Sequence, residues 1–337
     1  MTAAEESTIG SAPAEDAAVE PAQEYRPGER ALTLLATPLN LHILRALTDR
    51  PMRLAELRRA TGLPAQTTLR GHLGTLWQVG ALTKRPTDEI PYTVENELTA
   101  MGRELLEVAD LLEGWLRGAP DGPVALGSGA AKGIVKAFVD GWGSRMMRHL
   151  ASGPISLTEL DREIAGISYP SLERRLASMR MAGLIEARPS RGVGTPYAVT
   201  EWARRGFAPL AAAGRCERVH MGHRAPPVTE IDIEAVFLLA TPLAGLSDGS
   251  SGVCQFEVKA ARDRRPQAGV RVEVRAGEVV ACDSELVPHP PSFAVGSTST
   301  WISAVKDGKL DLLSFGGVGE LAESLVSALH AAFIMGA

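Results

Sequence analysis

One pattern of apolar and turn residues occurs twice in this chain, 103 positions apart. Pro51-Met52 is matched by Pro154-Ile155, and Leu54, Glu56 and Leu57 by Leu157, Glu159 and Leu160. Leu69, Leu73, Leu76 and Gly80 are matched by Leu172, Leu176, Met179 and Gly183. Further on, Pro91-Tyr92 and Pro196-Tyr197 align at an offset of 105, as though the second copy carried a hairpin two residues longer. Agreement in core positions, turn and hairpin marks an internal duplication, so both copies must be able to adopt one fold.

The first copy reads as helix, helix, turn, helix and two-stranded hairpin. Ala31 to Leu35 and Leu39 to Leu47 have helical apolar spacing, and Leu54 to Ala60 is a short helix broken by Gly62-Leu63-Pro64. A third helix, AQTTLRGHLGTLWQVGAL, precedes strands at Thr83 to Arg85 and Pro91 to Val94. A longer amphipathic helix, Leu98 to Leu116, ends at Gly118. In the second copy the stretch Ile167 to Ile185 places Leu172, Leu176, Met179 and Gly183 on one stripe. Pro170, Ser171, Arg174 and Ser178 lie opposite, with Arg175 on the flank. A helix that is apolar behind and presents arginine and hydroxyl groups in front suits a DNA major groove.

Charge supports a division of labour that the total of -5 conceals. Residues 1–27 carry -5, residues 28–118 are neutral, 119–129 carry -1, 130–224 carry +7 and 225–337 carry -6. The positive field therefore belongs to the second copy, between acidic flanks, which is compatible with local contact to a phosphate backbone. Residues 1–27, rich in Ala, Glu and Pro, are expected to be disordered. Residues 119–129 are a Gly/Pro/Ser/Ala-rich linker. No apolar run has the length of a membrane span and no secretory signal is visible, so a cytoplasmic location is expected. Cys216, Cys254 and Cys282 are too scattered for a disulfide framework or a zinc site, and no metal or cofactor is expected.

LTELDREIAGISYPSLERRLASMRMAGLIEA, preceded by GWGSRMMRHLASGP and followed by TPYAVT, resembles a winged helix-turn-helix of the HxlR type within the broader MarR-like group. The first copy, LRALTDRPMRLAELRRATGLPAQTTLRGHLGTLWQVGAL followed by PYTV, resembles the same family less closely. The resemblance implies bacterial transcription regulation, with Ile167 to Ile185 as recognition helix and Glu186 to Ala198 as a wing reaching a minor groove or phosphate. Members act as homodimers of single modules. Two fused modules leave the usual dimer interface and half-site spacing open.

In the second module, residues 130–224, Arg174 and Ser178 are the candidates for base-edge contact, since a guanidinium bonds bidentately to guanine. Ser168, Tyr169 and Ser171 lie near the helix start, where hydroxyls and free N–H groups suit phosphate. Arg175, Arg188 and Arg191 would add phosphate or minor-groove charge. In the first module, residues 28–118, the outward residues are Gln66, Thr67, Thr68, Gly71 and Thr75, with Arg70 and His72 on the flanks and Lys84 and Arg85 on the wing. That face has no central arginine. The first module is thus either a weaker DNA contact or a dimerisation or ligand module.

Residues 225–337 turn to mixed helix and strand. Glu230 to Leu239 reads as helix, Val253 to Val258, Val270 to Val274 and Glu278 to Ser284 as strands, and Ser299 to Val305 as helix. Leu310 to Ser314 reads as a strand and Leu321 to Ile334 as a closing helix. STSTWISAVKDGKLDLLSFGGVGELAESLVSALHAAF resembles the closing half of a sterol-carrier-protein-2-like domain. That resemblance implies a pocket for an apolar molecule, with Phe256, Phe293, Trp301, Leu312, Phe315 and Phe333 as its walls. No Ser/His/Asp, metal-ligand or phosphate-loop constellation is visible, and no enzyme activity is expected.

The sequence therefore predicts an α+β chain of two tandem winged helix-turn-helix modules followed by a mixed α/β ligand-binding domain. The expected function is a ligand-responsive transcriptional regulator, a repressor rather than an activator. Its expected partners are double-stranded DNA and a small apolar effector, with no membrane. Homodimerisation is left open because one chain already holds two modules. The competing reading is a small-molecule binding or sequestering (resistance) protein whose winged helices are structural.

Overall fold

The computed structural model describes residues 25–86, 93–143, 145–189, 194–259 and 266–335. Of residues 1–27, expected to be disordered, 1–24 lie outside the described residues, as do the tips of both hairpins and Arg191, while Arg26 is instead held by Asp232 at 3.4 Å. The fold is mixed α+β. No helix among the described residues is long and apolar enough to cross a membrane.

The first unit runs α1 (Glu29–Leu35), α2 (Pro38–Ala46), β1 (Met52–Arg53), α3 (Leu54–Ala60), α4 (Gln66–Val79), β2 (Leu82–Pro86), β3 (Val94–Leu98) and α5 (Ala100–Arg117). The same order returns as α6 (Gly129–Gly143), α7 (Met146–Ser152), β4 (Ile155–Ser156), α8 (Leu157–Glu163), α9 (Tyr169–Met181), β5 (Ile185–Ala187) and β6 (Pro196–Val199). Two consecutive helices, α10 (Glu201–Arg205) and α11 (Phe207–Met221), close the second unit. Each three-stranded sheet has the late hairpin strand at its centre, β1-β3-β2 and β4-β6-β5.

The two stretches also share individual hydrogen bonds. The Thr99 hydroxyl donates to the carbonyls of Gly80 (2.6 Å) and Ala81 (3.1 Å) and accepts from Gly102 N (3.2 Å). The Thr200 hydroxyl donates to Gly183 (2.9 Å) and Leu184 (3.3 Å) and accepts from Ala203 N (3.2 Å). Gly80 and Gly183 stand just beyond α4 and α9 at φ +86° and +71°. That left-handed conformation, which turns the chain from helix into hairpin, is cheap only for glycine.

Strand pairing corrects the hairpin alignment. Met52 pairs with Asn96 and Ile155 with Tyr197, while Leu82 pairs with Leu98 and Ile185 with Val199. Tyr197 therefore corresponds to Asn96, not Tyr92, and the second hairpin is the shorter by two residues. The two Pro-Tyr pairs are a coincidence of composition. Register follows the buried residues Asn96 and Leu98 against Ala198 and Val199.

The expected linker packs against the body. Leu126 is buried, Val124 N donates to Leu116 O (3.1 Å), and Ser128 Oγ accepts from Ala131 N (3.1 Å) at the start of α6. The units are joined beneath it by Trp115 of α5 and Trp202 of α10. Their rings stack at 4.7 Å and 11°, and each indole N–H donates to the other's carbonyl, at 2.8 and 2.9 Å. Phe138 of α6 meets Trp115 at 5.1 Å.

The third part begins with α12 (Glu230–Ala240), capped by reciprocal Thr229 and Asp232 bonds. It continues through β7 (Gly252–Val258), β8 (Ala268–Arg275), β9 (Glu278–Asp283), β10 (Ser292–Gly296), α13 (Thr298–Asp307), β11 (Ser314–Gly317) and α14 (Gly319–Met335). The sheet order is β11-β10-β7-β8-β9, with β10 parallel to β7 and the other pairs antiparallel. Two expectations need correction. Leu310 to Leu312 is a 3₁₀ turn and the strand starts at Ser314, while β10 follows prolines that read as loop. Buried polar contacts fasten α12 to the second unit. Arg148 of α7 pairs with Glu234 at 2.5 Å, and Arg204 donates to Leu238 O and Ala151 O.

The tryptophan pair makes a direct test of the join between units. Trp115→Ala is expected to destabilise the protein by about 3–5 kcal/mol in urea denaturation, as for other buried aromatic truncations. Trp115→Phe, which keeps a ring but leaves Trp202 O without its donor, should cost about 1–3 kcal/mol.

Candidate functional site

Helix α9 is built as the sequence indicated. Leu172, Leu176 and Met179 are buried, while Ser168, Tyr169, Arg174 and Ser178 are exposed and Ser171 is half-buried. Arg174 has no hydrogen-bond or ion-pair partner among the described residues, so its guanidinium is uncommitted. Met181, 86% exposed at the end of the same outward face, is a residue the sequence reading passed over. A thioether there offers apolar contact of the kind a thymine methyl accepts.

The flanking arginines are differently placed. Arg175 is half-buried and donates to Asp140 O of α6 (3.5 Å), and Arg188 pairs with Glu186 (2.8 Å). Each is thus already engaged by its own unit.

On α4, Gln66, Thr67, Thr68 and Arg70 are exposed above buried Leu69, Leu73 and Leu76. His72, the counterpart of Arg175, is held by Asn40 Oδ1 at 2.7 Å. Lys84 lies 4.1 Å above the Trp77 ring, while Arg85 is exposed on β2. The counterpart of Arg174 is Gly71, and a Cβ added there meets nothing within 4 Å. The two outward faces therefore share a backbone position but differ in the charge it carries.

Beside α9 lies a cleft lined by Glu29, Lys132, Lys136, Asp140 and Arg175. Burial pushes the Glu29 carboxyl up to about 7, against the lowering effect of Arg26, with Asp140 and Glu217 adding to the rise. Glu29 Oε2 accepts from Arg26 N (3.0 Å), while the buried Oε1 has no partner.

A second feature is a cavity of about 110 Å³ between α11, α12, α13 and α14. Of the six residues expected to wall a pocket, only Trp301 and Phe333 line it. Phe256 is buried in a ring cluster, 5.3 Å from Phe237 and 5.2 Å from Trp301. Phe293 packs over Gly316, Phe315 lies on edge strand β11, and Leu312 is 45% exposed on the 3₁₀ turn. This cavity lies where the third part meets the second unit, while α12 packs over the sheet face and the rings fill the space there.

The helix pair α5/α11 also brings together Glu104, Cys216 and His220, which no sequence spacing suggested. The Glu104 carboxylate is already engaged, by His220 Nε2 at 2.7 Å and Arg215 at 3.3 Å. Burial raises the Cys216 thiol to about 12.

Glu29 generates a prediction with a definite sign. A carboxyl whose folded value lies above its ordinary 4.5 holds its proton more tightly in the folded state, so its contribution is full below about 4.5 and is lost as pH rises toward 7. The thermal midpoint should fall from pH 5 to pH 7.5 by more in the wild type than in Glu29→Gln, in buffers matched for ionic strength. An unchanged slope in the variant would remove Glu29 as the cause.

Among known proteins, no curated protein matches the chain. The HxlR-like helix-turn-helix family matches residues 35–120, from the last residue of α1 to just past α5. The match falls on the first unit, which corrects the expectation that the second copy is the closer relative. Residues 35–120 are thus similar to an HxlR-like helix-turn-helix, a likeness that points to DNA binding and transcription regulation.

Proposed function

We propose that the chain is a non-catalytic, ligand-responsive repressor in which two winged helix-turn-helix units, residues 28–118 and 130–224, act as an internal dimer on duplex DNA. The family likeness of the first unit supports DNA binding. The observation that extends it to the second is the shared bonding of Thr99 and Thr200 at the ends of equivalent hairpins. Helices α4 and α9 are the reading elements, and α9 dominates because it carries Arg174 and the more positive surroundings. Residues 225–337 are the effector domain. Their closing order of helix, Gly308 turn, strand and helix supports the sterol-carrier-like reading. One chain suffices, since the join made by Trp115 and Trp202 does for the two units what a dimer interface does for single modules.

The apolar cavity favours a second reading, a protein that sequesters a small molecule and keeps its winged helices for structure. A gel shift against the DNA upstream of the protein's own coding region separates the two. Specific retardation at moderate salt supports the regulator, and retardation no stronger than that of unrelated DNA supports sequestration.

Within the regulator, Arg174→Ala is expected to cost about 1–3 kcal/mol of specific binding in fluorescence anisotropy, and Arg70→Ala less. Gly71→Arg, which enters open space, should tighten binding and steepen its salt dependence by about one phosphate contact. Equal losses at Arg174 and Arg70 would contradict the inequality of the two faces.

A further inference from the structure

The junction cavity has the features of a binding site. Its walls come from Leu210 and Gly214 of α11, Ile233 and Val236 of α12 and Val305 of α13, and they are almost wholly apolar. Three polar groups at its boundary lack a hydrogen-bond partner among the described residues: the Trp142 indole, Arg218, and Nε of Arg215, which is ion-paired with Glu104 at 3.3 Å. Trp142 of α6 lines the cavity and is 5% exposed, and its buried indole N–H has no acceptor among the described residues. Arg218 of α11 lines both the cavity and an adjoining open vestibule of about 660 Å³, is half-buried, and has no hydrogen-bond or ion-pair partner among the described residues.

A buried donor left unpaired costs on the order of 1–3 kcal/mol, and a half-buried cation without a counter-ion adds to that cost. The cation is relieved by a guest that brings an anionic acceptor. The other cations of the vestibule are committed, Lys306 to Asp307 (3.5 Å) and Lys259 to Glu257 (2.9 Å), which leaves Arg218 for an incoming anion. The closed part has the volume of one compact group, since a cavity on the order of 150 Å³ with such walls admits benzene.

We infer that this cavity binds a small monocarboxylic acid, its ring or short alkyl group against Ile233, Val236 and Val305 and its carboxylate on Arg218 at the vestibule. The inference deepens the ligand-responsive reading above and rests on it for its consequence. The cavity is also walled by Pro27, whose neighbour Gly28 donates its N–H to Glu217 Oε2 of α11 (2.9 Å). Occupancy therefore bears on the contact between α1 and α11, where the first unit meets the second. A guest favouring one arrangement of that contact shifts the chain toward it.

The test uses phenylacetate, phenylbutyrate and octanoate as probes, with phenylbutanol as the uncharged match, read by intrinsic fluorescence because Trp142 and Trp301 both line the cavity. Saturable binding of at least one acid is expected. Arg218→Gln should weaken it about tenfold while leaving phenylbutanol unchanged, as loss of a charge-assisted bond predicts. Val305→Phe, which fills the cavity, should abolish both, with an unchanged thermal midpoint showing that the fold survives. Absence of saturable binding by all three acids overturns the inference, as does binding that survives Val305→Phe. Loss of binding in Val305→Phe, with Arg218→Gln indistinguishable from wild type, overturns the assignment of the anion. Gel retardation measured in parallel keeps the two claims apart. Acid binding without specific retardation leaves the cavity standing and removes the regulator, and retardation without acid binding does the reverse.

Discussion

The carboxylate of Glu217 is the contact on which the arrangement of the chain depends. It is 1% exposed on α11, the last long helix of the second unit, yet it accepts from Gly28 N at 2.9 Å and Ala31 N at 2.8 Å, at the start of the first unit. Those N–H groups have no acceptor within α1, and Gly28 has no side chain to cap them. Glycine is required there for another reason. Its φ is +86°, and a Cβ would strike Leu210 O and the wall of α11. A remote carboxylate thus completes α1 and draws its backbone onto α11. Burial raises the Glu217 carboxyl, and the two backbone donors, which only the assembled units provide, partly oppose that shift.

Given that contact, the remaining joins are consistent with one another. The α1 helix is fixed against α11, the stacked tryptophans fix α5 against α10, and Arg148 and Arg204 fix α12 against the second unit. The spacing between α4 and α9 is then a property of one chain. In a dimer of single modules that spacing depends on concentration, since association carries an entropic cost. Here the covalent connection has already met most of it.

Legibility in the sequence followed the range of the interactions. The helices α3, α4 and α9 were readable because their buried stripes and terminal glycines are local, as Leu69, Leu73, Leu76 and Gly80 illustrate. Hairpin register was not, because it is decided by pairing between strands, as of Leu82 with Leu98 and Met52 with Asn96, and a repeated Pro-Tyr dipeptide offered a false guide. Strand β10 was hidden behind Pro290 and Pro291, which mark a loop even though the next five residues form a strand between β11 and β7. For the candidate site, exposure of Arg174 and Ser178 was foreseen from helical spacing. The engagement of His72 by Asn40 and of Arg175 by Asp140 was not, since each partner lies on a helix 32 or 35 residues earlier. The junction cavity was not legible for the same reason. Its walls come from α6, α11, α12, α13 and α14, and no window of sequence contains that combination.

The inequality of the two units bears on what kind of DNA site such a chain can read. Two identical modules impose a palindrome, because each half-site meets the same side chains. Here the same backbone position carries Arg174 in one unit and Gly71 in the other, and the next helical flank carries Glu173 in one and Arg70 in the other. Under the proposed function, an arginine able to bond guanine on one side would face a glycine on the other, so base discrimination would concentrate in one half-site and the other would contribute mainly phosphate contacts. Duplication followed by fusion removes the requirement that both halves change together, which independent copies of one chain can never escape. A fused pair is therefore suited to an asymmetric operator, with orientation as well as position encoded in which unit lies where.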